Sequence, residues 1–458
     1  MNFIEYFNNL RTLSNRSLFL LLIIISNNIF SQTISIEISN APQKAILLEL
    51  EGEKTTKIDS AFAKDDIFQF NLSNKHYGFY RLQFDKKYSL DFINDGKNVE
   101  LRTKYKNIND SLVVVNSESN KLYYDFIKLN KSYKTKTELL QLIIERYPKG
   151  DNYYQITKNK LLQIQNDYKK FIDINIQKKP NSFIARYIKS AQLPIIDFSI
   201  PPKEQLKYLK CHALDNVDFN DSEMIYSDLY TSKSIEYLTY YRNPQLPKIL
   251  LEKEFMKAVD TLLTKARVNE LVYQHITEYL IDGFTKFGFD NIIEYIITNY
   301  VIADDLCLNE TTGSTVQRRI NQTKYFKIGD PVPNIILPDS SGRRVDLSDI
   351  KSDRILLLFY ASWCPHCQAI IPKINNIYKK EKDFEVLAIS LDTNKFEWIN
   401  FIKGNNLNWY NVSDLKGWDS EVAESYFIYA TPTMFLLDKD KKIIAKPITI
   451  EELKLRFE

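Results

Sequence analysis

The sequence predicts a multidomain chain: a small antiparallel β-sandwich, then an all-α helical domain, then an α/β domain. Three observations predict it. Period-two apolar alternation fills residues 33–105, three-to-four spacing fills the middle, and continuous apolar runs return near the end. The length of 458 residues allows about three domains at ~100–200 residues each.

Composition removes several function classes. The 61 Lys+Arg against 58 Asp+Glu leave a net charge of +3, which gives no reason to expect a nucleic-acid partner. None of the 11 Gly forms a G-x-G, so a dinucleotide-binding loop is excluded. Gly283 and Gly288 have the Walker spacing, but Phe289-Asp290 follows where Lys-Ser/Thr is required. Four His and four Cys without an H-E-x-x-H argue for no metal and no cofactor.

In chain order, residues 1–31 read as a signal peptide. Arg11 and Arg16 precede a charge-free apolar run centred on Leu18–Ile25, too short for a spanning helix but suited to an h-region. Cleavage after Ser31 would start the mature chain at Gln32; with no Cys nearby, no lipid anchor is expected. An N-terminal membrane anchor or a buried helix is the competing reading.

Residues 32–112 form the β-rich domain. Thr33–Ile38, Ile67–Phe70, Tyr80–Phe84 and Val99–Leu101 alternate, and Asp95-Gly96 reads as a hairpin turn between Leu90–Phe92 and Val99–Leu101. Residues 118–322 form the helical domain. Leu139, Leu140, Leu142, Ile143 and Ile144 are expected on one face, and Leu161, Leu162, Ile164, Tyr168 and Phe171 continue the pattern.

Residues 326–458 follow the Ile328–Pro333 boundary. A hairpin turning at Ser341-Gly342 leads into β-α-β-α-β-β-α, with Ile355–Tyr360 and Val386–Ile389 as strands buried on both faces.

The chemistry concentrates in Trp363-Cys364-Pro365-His366-Cys367, directly after the first buried strand. The spacing places both sulfurs within disulfide reach across one helical turn. A helix N-terminus at Cys364 would stabilise its thiolate, the nucleophilic form. Half of a zinc site and an inert disulfide compete with this reading, though Cys211 and Cys307 lie far off in sequence. Those two could pair with each other or be buried separately. Thr431-Pro432-Thr433, before the Met434–Leu437 run, is the second signal, since X-Pro tolerates the cis form.

With these motifs, the Gly329–Pro333 entry and Pro372 in the following helix, residues 326–458 resemble a thioredoxin-fold domain of the TlpA/ResA-like family of exported thiol–disulfide oxidoreductases. Residues 32–320 resemble, more loosely, extensions found before such modules in some bacterial envelope proteins, from which no activity carries over. The resemblance implies that Cys364 attacks, that Cys367 resolves, and that the two form the redox-active disulfide. It implies a cis Pro432 facing the sulfurs, with backbone groups of Thr431 pairing an extended substrate. Trp363 and Pro365 would border the substrate, Trp363 either as a flat apolar cover or by plain packing. The partners implied are thiols or disulfides of exported proteins and an unidentified membrane or envelope electron donor. There would be no stable membrane anchor, and the location would be the periplasm or cell envelope.

Two positions depart from the family. Leu358 stands where thioredoxins carry a buried Asp, and Ile370 where ResA-like reductases carry a Glu. The Pro365-His366 dipeptide also occurs in the oxidant DsbA. His366 is therefore expected to favour the Cys364 thiolate and raise the potential, or else to be a solvated side chain at a helix start. A redoxin-type peroxidase is the alternative enzyme, although Ala361 lacks the hydroxyl such enzymes place before the reactive Cys. A binding or scaffold protein with an accessory redox domain is the non-enzyme alternative.

Overall fold

The computed structural model describes residues 32–308, 314–381 and 383–457. The signal-peptide reading of residues 1–31 lies outside them. Among the described residues no helix is long and apolar enough to cross a membrane. The chain divides into two compact units between Leu280 and Ile281.

The first unit opens with eight strands: β1 (Ile34–Ser39), β2 (Lys44–Glu51), β3 (Lys54–Phe62), β4 (Ile67–Phe70), β5 (Gly78–Gln83), β6 (Ser89–Asn94), β7 (Val99–Lys104) and β8 (Val113–Asn116). They form two four-stranded sheets, ordered β4-β1-β7-β8 and β3-β2-β5-β6. Period-two alternation sends Ile34, Ile36 and Ile38 inward on β1, and Val99 and Leu101 inward on β7. These residues share one apolar cluster with Leu47, Phe68, Leu82 and Phe92, each such burial contributing about 1.5–3 kcal/mol.

Two sequence expectations are corrected here. The β-rich region is not purely antiparallel, because β1 and β7 pair in parallel from Ile34 opposite Val99 onward. Nor do β6 and β7 form a hairpin, since β6 pairs with β5 and β7 belongs to the other sheet. The cause lies at the turn. The Gln32 side-chain amide donates to Asn94 Oδ1 (2.6 Å) and Lys97 O (2.7 Å), and Val99 N–H donates to Thr33 O (3.1 Å). The chain leaving β6 is thereby captured by the start of β1, and the two strands set off in the same direction. Gly96, at φ +79°, still makes the turn.

Helices follow: α1 (Glu118–Arg146), α2 (Asn152–Lys178), α3 (Phe183–Ala191), α4 (Pro202–His212), α5 (Leu229–Thr239), α6 (Lys248–Ala266) and α7 (Glu270–Lys286). Ser117 and Asp151 cap α1 and α2 through their side-chain oxygens. The expected single apolar face on α1 is also corrected. Tyr133, Thr137 and Ile144 are buried, whereas Leu139 and Leu142 are 59% and 48% exposed. At 3.6 residues per turn the inward stripe runs through 133, 137, 140 and 144, so a run of consecutive apolar residues cannot share one face.

The second unit carries α8 (Asp290–Ile296), one stretch of π-helix (Ile297–Ile302) and α9 (Ser314–Tyr325). A hairpin of β9 (Ile336–Pro338) and β10 (Arg344–Asp346) comes next. Then come β11 (Arg354–Tyr360), α10 (Pro365–Tyr378), β12 (Phe384–Ser390), α11 (Lys395–Gly404), β13 (Tyr410–Val412), α12 (Glu421–Ser425), β14 (Thr433–Asp438), β15 (Ile443–Ala445) and α13 (Ile450–Lys454). The five-stranded sheet is ordered β13-β12-β11-β14-β15. β11, β12 and β13 run parallel, and β14 is antiparallel to β11. This is a thioredoxin-like fold. Strands β11 and β12 are buried along almost their whole length, which places their carboxyl ends together at one edge of the core, where open α/β sheets build their sites.

Candidate active site

Strand β11 ends at the fully buried Tyr360, and Ala361-Ser362-Trp363 turn the chain into α10. Cys364 is the N-cap of that helix: its Sγ accepts the Cys367 backbone N–H at 3.3 Å, and Pro365 occupies the first turn, where no donor is needed. Cys364 is only 5% exposed and Cys367 is fully buried. Both are thiols, as are the exposed Cys211 and Cys307, neither of which is bonded to the pair.

The Thr431–Pro432 peptide bond is cis. Thr431 stands over the first sulfur, its carbonyl oxygen accepting the Cys364 thiol at 3.4 Å. Trp363 is 52% exposed beside it. Pro365 and His366 are exposed on the first turn of α10, and Thr431 and Pro432 are half-buried. The structure thus brings Trp363, Cys364, Pro365, His366, Cys367, Thr431 and Pro432 to one end of the sheet.

The acidities of the two thiols are shifted in opposite directions. Burial raises the Cys364 thiol, but hydrogen bonds from the Cys367 thiol, from the Thr431 side chain and from the backbone N–H groups of Cys367 and His366 outweigh it and leave the group below its ordinary value. His366 acts there through its backbone. Cys367 is pushed up to about 12, first by burial and then by its contact with the Cys364 sulfur.

Leu358 and Ile370 bring no carboxylate to this pair. Leu358 is fully buried between Ala388 and Met434 in the sheet, and Ile370 is half-buried against the core. A different carboxylate sits nearby. Asp392, fully buried just past β12, accepts hydrogen bonds from Ser362 N–H (3.0 Å), Ser362 Oγ (2.6 Å) and Ser390 Oγ (2.6 Å). It thereby fixes the turn two residues before Cys364. Sequence reading left it unassigned. The available signal was its place at the end of an apolar strand parallel to β11, since neighbouring parallel strands end at the same crevice. Glu424 is exposed. Among the described residues no group of three His, Cys, Asp or Glu side chains is arranged to hold a metal ion.

The AhpC/TSA family model matches residues 328–446, and a domain of unknown function, DUF4369, matches residues 32–123. Thiol-disulfide oxidoreductase ResA of Bacillus cereus is 32% identical over 142 residues, covering 30% of this chain and 80% of that protein. ResA of Bacillus thuringiensis is 33% identical over 142 residues, with the same coverage of 30% and 80%. Among solved structures, a thiol-disulfide oxidoreductase from Bacteroides fragilis is 36% identical with a TM-score of 0.26, covering 28% of this chain and 97% of the other.

Proposed function

Because the chain belongs to the ResA family of thiol-disulfide oxidoreductases, we propose that it exchanges disulfides with exported proteins through the dithiol of Cys364 and Cys367. One observation carries the reading. The N-cap sulfur of α10 is held below the usual thiol range, while its partner one turn later is buried and pushed up to about 12. A nucleophile and a held-back resolving group are what two-step exchange requires.

In the reducing direction the Cys364 thiolate attacks one sulfur of a substrate disulfide. That S–S bond breaks, a mixed disulfide forms, and the other substrate sulfur leaves as a thiolate. Cys367 then gives up its proton to water and attacks Cys364 Sγ. The second substrate sulfur is released, and the Cys364–Cys367 disulfide closes. Two electrons have passed to the substrate. The envelope electron donor restores the dithiol, and the same steps in reverse oxidise a substrate dithiol.

The cis Thr431–Pro432 segment beside the sulfur offers backbone groups to an extended substrate, and Trp363 and Pro365 border it. The charge-free apolar run after Arg11 and Arg16 supports export, and with it a dithiol that works in the periplasm or cell envelope. Edman degradation or mass mapping of the mature protein should begin at Gln32.

The test is trapping. A Cys367→Ala variant expressed with its leader should accumulate mixed disulfides with exported proteins that disappear on reduction, whereas Cys364→Ala should not. Equal trapping by Cys364→Ala would reverse the two roles. The AhpC/TSA match raises peroxidase activity as a second reading. Against it, residue 361 is a buried alanine with no hydroxyl to orient a peroxide. Consumption of hydrogen peroxide with a thiol donor at enzymatic rates would favour that reading instead.

A further inference from the structure

Helix α9 precedes the family-matched segment 328–446, yet within the second unit it grips the loop that leads to Thr431–Pro432. The buried Gln322 amide donates to Tyr426 O (3.1 Å) and Phe427 O (3.2 Å), and Arg318 Nη1 donates to Ile428 O (3.2 Å). The buried Arg319 guanidinium lies 5.1 Å from the Tyr429 ring centroid. It is itself held from α8 by Asp290 Oδ1 (3.0 Å), Asp290 O (2.8 Å) and Glu294 Oε2 (3.5 Å).

One helix therefore engages four consecutive residues, 426 to 429. Phe427 sits at φ +50°, a conformation that a bulky L residue keeps only where its surroundings impose it. Two residues past Tyr429, Thr431 meets Cys364.

We propose that α9, through Gln322 and Arg319, positions the Thr431–Pro432 loop over Cys364, so that residues upstream of the thioredoxin-like module set the reactivity of its attacking sulfur. The inference rests on the oxidoreductase reading for its biological meaning, and its physical content is separate. Buried carbonyls that lose their donors must move to find water or another donor. Such a shift carries Thr431 with it. The Thr431 side chain is one of the groups that hold the Cys364 thiol down, so displacing it moves that titration upward.

The experiment follows the pH dependence of Cys364 alkylation by iodoacetamide in the full chain, read by peptide mapping. Gln322→Met keeps the side-chain length and removes both donors. Arg319→Gln removes the stacked cation, and Arg319→Lys restores a cation without the flat fork. Gln317→Ala, on the exposed side of the same helix, is the control.

The alkylation midpoint should rise by about one pH unit in Gln322→Met and Arg319→Gln, a roughly ten-fold loss of thiolate below the midpoint. It should recover in part in Arg319→Lys and stay put in Gln317→Ala. Folded variants whose profiles overlay the wild type, or shift downward, overturn the inference. Should Gln322→Met not fold, Tyr429→Leu, which leaves α9 intact and removes the ring under Arg319, is read by the same criterion. Failure of Cys367→Ala to trap any exported protein would sink the oxidoreductase reading and leave the comparison of alkylation profiles standing.

Discussion

Cys364 and Cys367 are separated by one helical turn, and their surroundings shift their acidities in opposite directions. Cys367 has a consequence for stability. Its folded-state value, about 12, lies above the ~8.5 of an unfolded thiol. The native reduced protein therefore holds a proton that the unfolded chain has released between those limits. The stability this supplies is present below about pH 8.5 and is lost as pH rises toward 12. Denaturant titrations of the second unit at pH 8 and pH 11 should show the reduced form losing a few kcal/mol more than the oxidised form, which has no thiol to titrate. Equal losses in the two forms would contradict it.

His366 and Asp392 are tested at the same scale. His366 acts on Cys364 through its backbone, so His366→Ala should shift the Cys364 alkylation midpoint by less than about half a pH unit. That outcome would remove the imidazole as the source of an oxidising potential. Asp392→Asn keeps the shape but weakens three charge-assisted hydrogen bonds at the turn before Cys364. It should cost roughly 2 kcal/mol in equilibrium denaturation of the second unit. Neither position was assignable from sequence with this detail. A backbone N–H has no sequence signature, and Asp392 meets Ser362 only because two strands end side by side.

Among the elements, legibility followed how local the determining contacts are. The buried strands β11 and β12 announce themselves as apolar runs, and the N-cap at Cys364 follows from the motif that contains it. The pairing of β7 with β1 depends on Gln32 reaching Asn94 and Lys97, a contact across the whole β-rich region that no local pattern encodes. The three-residue β13 is too short to carry a period. Helix α9 reads as an ordinary polar helix until Gln322 and Arg319 are seen against residues 426 to 429.

The β2–β3 hairpin is a further non-local element. Gly52 at its tip, φ +61°, donates its N–H to Ile225 O (3.0 Å) and Ser227 O (3.1 Å), and Lys54 reaches Glu278 at 2.7 Å. A Cβ at residue 52 would lie 2.8 Å from His275 Cε1 and 2.8 Å from Thr231 Cγ2, in a backbone region that disfavours L residues. Gly52→Ala should therefore destabilise the first unit by about 1–3 kcal/mol, seen as a lower Tm of its calorimetric transition. An unchanged Tm would show that the tip is free to move away.

On the scale of the whole chain, the redox chemistry belongs to one of two compact units, and so does every tryptophan. The sequence has four, Trp363, Trp398, Trp409 and Trp418, all on the C-terminal side of the Leu280/Ile281 division. Trp398 and Trp409 are buried, while Trp363 is 52% exposed next to Cys364. A disulfide accepts an electron from an excited indole far more readily than a pair of thiols does. Light absorbed at the red edge of the indole band, beyond tyrosine, is therefore taken up by the second unit alone, and its emission should brighten when Cys364–Cys367 is reduced. The unlabelled full-length protein carries its own optical gauge of the couple, and a titration with dithiothreitol can be followed by that emission while the tyrosine-rich first unit stays dark.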